Sequence, residues 1–312
     1  ISSTCKIVCY ATKNRGHFFL PNVPKFLPSI SPFIFILLEY TKLLHDLVNR
    51  IGLIITMPKF AANISMMFNE YDFLDRFAAA AAAGFEGVEF LFPYEYSSEE
   101  IKKRLEENNL TQALFNTYAG NWEDNERGFG SIPGREKAFE QAIEQAIEYA
   151  NVLGNTCIHA MSGLVTNEPI DKHHKTLVSN LKRAAPVAAR NGKILIIEPI
   201  NTRDIPGYFL NYQAQARDII DAVGADNVRL QFDLYHCQIM EGDLAAHMRE
   251  YIDITAHMQI AGTPGRHEPN IGEVNYPYLF GLMDELGYDG WVGCEYRPKG
   301  DTNSGLGWMK QL

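Results

Sequence analysis

The chain has 312 residues and a formal net charge of −10. That length suits one large α/β domain with a sizeable core, and fractions of 46% hydrophobic and 21% charged residues read as soluble and globular. The acidic balance disfavours non-specific nucleic-acid binding but leaves room for a small anionic substrate held by a few local cations. Five cysteines (Cys5, Cys9, Cys157, Cys237, Cys294) include no C-x-x-C pair. An odd number without that spacing argues against a disulfide scaffold and for a reducing compartment, the cytoplasm. The last three lie in or beside apolar runs and read as small buried hydrophobes.

Residues 1–56 stand apart from the rest. They carry six basic residues against two acidic ones, and four prolines fall between Pro21 and Pro32. The apolar run Pro32–Leu38 is too short to span a bilayer, so no membrane partner is expected. The segment reads either as upstream sequence joined to the protein or as an organellar presequence, which would move the location from cytoplasm to organelle. The orderly pattern begins at Met57, and residues 57–312 are read as the folded domain.

From Lys59 onward, strand-like and helical stretches alternate. The first strand is predicted over Phe60–Phe68, with a helix from Asp72 through the alanine-rich stretch to Ala83. The second covers Val88–Phe92, and its helix opens at Ser97 with Glu100 three positions on, a capping box. The third covers Gln112–Tyr118, before a long helix from Arg135 to Leu153 that Gly154 stops. The fourth covers Thr156–Met161, with a helix over 171–190. The fifth covers Ile194–Ile200, with a helix over 212–223 that Gly224 stops. The sixth covers Val228–Tyr235 and the seventh Ala256–Ala261, with helices over 243–252 and 276–286. The eighth covers Trp291–Tyr296, and a last helix starts near Ser304. Eight strand–helix units in roughly 250 residues predict a closed (β/α)₈ TIM barrel rather than an open doubly wound sheet. The nearly all-apolar strands suit burial on both faces.

In such a barrel the chemistry sits at the C-terminal ends of the strands. Strands five to eight each deliver an acid or amide there: Glu198, Asp233, Gln259 and Glu295. A carboxylate inside an apolar strand is costly unless paired, hydrogen-bonded or bound to a cation. Taken singly, each acid could cap a strand end or meet an arginine. Taken together, they would crowd near the barrel axis, and a divalent cation resolves their repulsion. An all-oxygen set of three carboxylates and an amide suits Mg²⁺ or Mn²⁺ better than Zn²⁺. His236 follows Asp233 at the strand mouth and is a candidate for substrate binding, with His257 a weaker one. Of the cationic side chains near the mouths (Arg203, Arg266, Arg297, Lys299), Arg266 is the best candidate for holding a substrate carboxylate. Phe92, Tyr118 and Tyr235 could wall a pocket, although core packing is the commoner role.

These residues sit in stretches that together carry a resemblance. They include Ala62-Asn63-Ile-Ser-Met-Met-Phe-Asn-Glu-Tyr-Asp72, Gly87-Val-Glu-Phe, Ile132-Pro-Gly-Arg135-Glu and Glu198-Pro-Ile-Asn201. Asp204-Ile-Pro-Gly207, Gln231-Phe-Asp233-Leu-Tyr-His236, Gly272-Glu273-Val-Asn-Tyr276 and Gly290-Trp-Val-Gly-Cys-Glu295-Tyr continue them. From Met57 to Leu312 the chain resembles the hydroxypyruvate isomerase family, within the xylose-isomerase-like barrel superfamily. Residues 1–56 have no counterpart in it. The resemblance implies interconversion of hydroxypyruvate and tartronate semialdehyde (2-hydroxy-3-oxopropanoate), with Glu198 and Glu295 as the catalytic pair. It also implies a metal at Glu198, Asp233, Gln259 and Glu295, where Gln259 departs from the histidine of the related ketose epimerases. An amide oxygen is a weaker donor than imidazole, so metal dependence stays open.

The implied partner is a small anionic hydroxy-oxo acid, and a homo-oligomer is compatible with that. A 2-oxo-tetronate isomerase or a ketose 3-epimerase would use the same site with a deeper pocket. A metal-dependent endonuclease of the same superfamily is the distant alternative, disfavoured by Gln259 and by the acidic charge.

Overall fold

The computed structural model describes residues 58–310, so the expectations for residues 1–56 lie outside the described residues. Eight parallel strands close a barrel in sequence order: β1 (Lys59–Asn63), β2 (Gly87–Phe90), β3 (Thr111–Asn116), β4 (Cys157–His159), β5 (Ile194–Ile197), β6 (Val228–Asp233), β7 (Thr255–Ile260) and β8 (Trp291–Cys294). The helices are α1 (Arg76–Ala82), α2 (Ser98–Glu107), α3 (Glu136–Leu153), α4 (Ile170–Arg190), α5 (Gln213–Val223), α6 (Leu234–Met240), α7 (Leu244–Tyr251), α8 (Tyr276–Glu285) and the short α9 (Thr302–Gly305). Every predicted strand and helix is present. Among the described residues no helix is long and apolar enough to cross a membrane.

The helices form because each carries one apolar stripe and a stop. In α3, Phe139, Ala142, Ile143, Ala146, Ile147, Ala150 and Leu153 are buried at three- and four-residue spacing. Gly154 then takes a φ of 85° and ends the helix, its N–H bonded to the Ala150 carbonyl. The capping box at α2 is complete: Glu100 N–H donates to Ser97 Oγ, and Ser97 N–H to Glu100 Oε2. Cys237 and Cys294 are buried and Cys157 half-buried, all three as free thiols. Burial raises the Cys157 thiol to about 11, as befits a packing residue.

The strands are shorter than predicted at their C-terminal ends. β1 stops at Asn63 instead of Phe68, because the Asn63 carbonyl accepts the N–H groups of Met66 and Met67 and its side chain accepts that of Ser65. β6 stops at Asp233 because its carboxylate accepts the N–H groups of Tyr235 and His236, at 2.7 and 3.3 Å. That cap starts α6, a helix not predicted, within a run whose apolar residues also fit a strand. Ending the strands early turns the following residues into the mouth of the barrel.

Inside the barrel, Gly293 leaves space beside Glu89. A Cβ at Gly293 of β8 would lie 2.3 Å from Glu89 Oε2, so a side chain there would have to displace the Glu89 carboxylate. The missing side chain makes room for the Glu89 carboxylate inside the barrel.

Candidate active site

The four oxygen-bearing residues predicted from sequence all stand at the C-terminal end of the barrel. Glu198 follows β5, Asp233 ends β6, Gln259 lies in β7 and Glu295 follows β8. All four are buried, between 1% and 5% exposed. Burial, together with Glu295 and Asp233 close by, pushes the Glu198 carboxyl well above the usual carboxylate range. Burial also raises Glu295 to about 8, although Arg266 opposes the shift. It raises Asp233 to about 6 against Arg266 and the two capping N–H groups. Each acid is thus held where its charge is unfavourable without a further cation.

Donor atoms of Glu198, Asp233 and His236 lie within 4.8 Å of one another. The tautomer of His236 follows from its neighbours. Its Nδ1 receives the Asn201 side-chain amide at 2.6 Å and the Asn201 backbone N–H at 3.3 Å. That amide cannot be reversed, since Asn201 Oδ1 accepts the N–H groups of Arg203 and Asp204. The imidazole proton therefore sits on Nε2, 3.5 Å from Asp233 Oδ2 and 3.8 Å from Glu198 Oε1. Burial, reinforced by Arg266, holds the ring neutral by lowering its pKa far below the ordinary value. His236 is therefore a donor into the site and has no lone pair on Nε2 for a metal.

Arg266 ties the remaining acids together. Its Nη1 lies 2.8 Å from Asp204 Oδ2, and its Nη2 lies 3.3 Å from Glu295 Oε2 and 3.9 Å from Asp233 Oδ2. Burial works against its charge, but Glu295, Asp233 and Asp204 outweigh it and keep the guanidinium protonated. The residue is held at a φ of 55°, a left-handed conformation costly for arginine, by backbone bonds to Gly262 and Arg297. Arg203, Arg297 and Lys299 are exposed. Of the candidate wall residues, Tyr235 is buried beside Arg266, Phe92 is half-buried and Tyr118 is exposed.

Three polar residues of this region were not singled out by sequence. Asp204 holds Arg266 and accepts from the Tyr235 hydroxyl at 3.3 Å. Its only signal is its place in the Asp204-Ile-Pro-Gly207 stretch. His159, on β4, is 1% exposed, with Nδ1 3.2 Å from Asn116 Oδ1 and 3.5 Å from Glu198 Oε2. Facing two acceptors, Nδ1 carries the proton, and the lone pair on buried Nε2 has no hydrogen-bond partner. Glu89, on β2, accepts from Asn63 Nδ2 at 3.0 Å and Gln259 Nε2 at 2.8 Å on Oε1, with His257 Nε2 2.7 Å from Oε2. A histidine and a glutamate inside otherwise apolar strands were the available signals. Gln259 and His257 thus share Glu89 as a partner, and Gln259 Oε1 also accepts from Gln231 Nε2 at 2.6 Å.

A closed barrel of eight parallel strands with buried acids at its C-terminal mouth matches one family model, the xylose isomerase-like TIM barrel, over residues 77–312. The chain belongs to that family. It is 57% identical over 258 residues to a 2-oxo-tetronate isomerase of Cupriavidus necator, covering 81% of this chain and 98% of the relative. It is 48% identical over 254 residues to a hydroxypyruvate isomerase of Escherichia coli, covering 81% and 98%. With such relatives the chain is an isomerase of the hydroxypyruvate isomerase group. A Brucella melitensis structure described as an AP endonuclease of family 2 superposes with a TM-score of 0.81 at 47% identity, covering 82% and 99%. The E. coli 3-keto-D-glucoside 4-epimerase YcjR, at 22% identity and a TM-score of 0.70, shares the fold.

Proposed function

We propose that this isomerase moves the carbonyl of a short hydroxy-oxo acid between adjacent carbons, with hydroxypyruvate and 2-hydroxy-3-oxopropanoate as its substrate pair. The observation that carries the reading is the pair of buried acids, Glu198 and Glu295, facing a neutral histidine donor and a fixed arginine. In the forward direction one glutamate takes the proton from C3 of hydroxypyruvate. The electron pair left behind forms the carbon–carbon bond of an enediol, and the C2 carbonyl oxygen takes up the charge. Protonation at C2 by the same glutamate or its partner, with loss of the O3 proton and gain of one at O2, completes the exchange. Acids whose proton affinity is raised by burial suit transfers of this kind near neutral pH.

The remaining side chains bind and orient. His236 Nε2–H donates to the substrate oxygen that becomes charged, and Arg266 is placed to hold the substrate carboxylate. Glu198, Asp233, Gln259 and Glu295 would hold a divalent cation, Mg²⁺ or Mn²⁺. What supports this is that oxygens of Glu198 and Asp233 lie within 4.8 Å of each other and Glu198 Oε1 is buried without a hydrogen-bond partner. A cation bound there supplies positive charge for the oxygen next to the C–H being broken.

A second reading is a four-carbon substrate, favoured by the 57% identity to a 2-oxo-tetronate isomerase. Purified protein incubated separately with hydroxypyruvate and with a 2-oxo-tetronate, each with Mg²⁺ or Mn²⁺, separates the two. Higher kcat/KM on hydroxypyruvate supports the first reading and the reverse the second. Turnover of neither acid overturns both. The cytoplasm is the proposed location, in keeping with three free thiols among the described residues.

A further inference from the structure

Glu89 is as buried as the catalytic pair, at 1% exposure, yet it sits in β2, away from strands five to eight. Two features show that its place is built rather than incidental. The barrel gives up a side chain for it at Gly293, where any Cβ would collide with Oε2. Asn63 Nδ2 of β1 and Gln259 Nε2 of β7 both donate to Oε1, and His257 Nε2 of β7 lies 2.7 Å from Oε2. Oε1, with two amide donors on it, is an acceptor toward Gln259.

That fixes something a glutamine cannot fix for itself. An amide has a donating end and an accepting end of nearly the same shape, and the wrong end presented to a cation is repelled rather than bound. At Gln259 the Nε2 end faces Glu89 Oε1, so Oε1 faces the other way, onto Gln231 of β6, two residues before Asp233. Gln231 Nε2 donates to that same Oε1 at 2.6 Å, so the polarity continues from Glu89 through Gln259 to Gln231. Reversing the Gln259 amide would set two acceptors against each other at Glu89 and two donors against each other at Gln231. A carbonyl oxygen has two lone pairs, and one is left after Gln231.

We propose that Glu89 is a positioning residue that locks the Gln259 amide oxygen-outward and thereby sets the strength with which the site holds a divalent cation. The inference rests on the cation reading given above for Glu198, Asp233, Gln259 and Glu295. It adds to that reading the reason an amide can serve in an otherwise acidic set. Partners that orient a metal ligand typically alter affinity about 10- to 100-fold when removed.

Mn²⁺ titration of the purified full chain, read as free ion by electron paramagnetic resonance, tests this without any turnover. Glu89→Gln is isosteric but offers a donor as well as an acceptor, so Gln259 is free to reverse, and the dissociation constant should rise about 10-fold or more. The double variant Glu89→Gln/Gln259→Glu exchanges acid and amide at equal net charge. Its ligand at position 259 has two equivalent oxygens and no wrong end, so Mn²⁺ binding should return to within about threefold of the wild type, by the same orientation argument. A purely structural role for Glu89 would lower thermal stability in both variants and give no such rescue. Wild-type affinity in Glu89→Gln overturns the proposal. So does a folded double variant that binds no better than the single one. If Glu89→Gln fails to fold, Glu89→Asp takes its place: it keeps the charge but shortens the reach to Gln259 Nε2, and wild-type Mn²⁺ affinity in it overturns the proposal. A wild-type chain that binds no Mn²⁺ overturns the cation reading itself.

Discussion

Glu89 and Glu198 are the same residue type, nearly equally buried, in one barrel, and they are treated in opposite ways. Glu89 has two amide donors on Oε1 and His257 Nε2 2.7 Å from Oε2. Glu198 has His159 and His236 at 3.5 and 3.8 Å, and its Oε1 has no hydrogen-bond partner. A buried carboxylate is tolerable once its lone pairs are satisfied, and one left open is under electrostatic stress. The satisfied acid holds other side chains in place. The open one, with Glu295 beside it, is free to take a proton or a cation.

The largest expected effect breaks the open side of this contrast. Glu198→Gln and Glu295→Gln should each lower kcat by about 10²–10⁴-fold, the usual worth of general acid–base help. Their melting temperatures without metal should be unchanged or higher, because a neutral amide replaces a carboxyl that burial disfavours. Steady-state kinetics with parallel thermal melts checks both halves. Near-wild-type turnover in either variant would remove it from the proposed catalytic pair.

The satisfied side is broken by Gly293→Ala. The added methyl meets a carboxylate pinned by contacts to Asn63, Gln259 and His257, so overpacking of about 1–3 kcal/mol is expected. It would be seen as a melting temperature lower by several degrees. An unchanged melt would mean that Glu89 can move aside, which would weaken its positioning role.

pH sharpens the comparison. A carboxyl whose pKa is raised on folding stabilises the fold below its unfolded value and loses that contribution as pH rises through the folded value. For Glu295 that window runs from 4.5 to about 8. His159, lowered to about 3 by burial with His257 nearby, acts in the opposite sense, but only below its ordinary value of 6.5. Between pH 7 and 8 the acids therefore dominate. Chelator-treated protein should lose stability with rising pH across that interval. Mn²⁺ or Glu295→Gln should flatten the slope, and a stability curve that rises there would contradict the electrostatics.

The smallest effect concerns Asp204. Asp204→Asn keeps the shape but weakens its grip on Arg266, so KM should rise several-fold, about 1 kcal/mol of binding for a charge-assisted contact, with little change in kcat. An equal fall in kcat would place Asp204 nearer the chemistry.

Much of this was legible in the sequence, for a physical reason. Strand and helix periods differ, and Gly154, Gly224 and the Ser97–Glu100 box mark helix ends that the structure reproduces. Acids such as Glu198 and Glu295 stand out against apolar strands because burying charge is costly. What escaped notice depends on contacts between distant strands. The α6 helix was hidden because Leu234–Met240 is apolar enough to continue a strand, and only the Asp233 cap turns the chain. Glu89 looked like one more motif residue, because nothing in β2 reveals that Asn63, His257 and Gly293 converge on it. Asp204 sits in a loop whose charge has no meaning until Arg266 folds against it.

The most direct test follows the proton. Hydroxypyruvate incubated in D₂O with the wild-type chain and Mn²⁺, then freed of metal and read by proton NMR, should acquire carbon-bound deuterium as the isomer appears. Glu198→Gln and Glu295→Gln, folded and at the same concentration, should acquire far less. Isomer formation by either variant at the wild-type rate would contradict proton transfer by this pair.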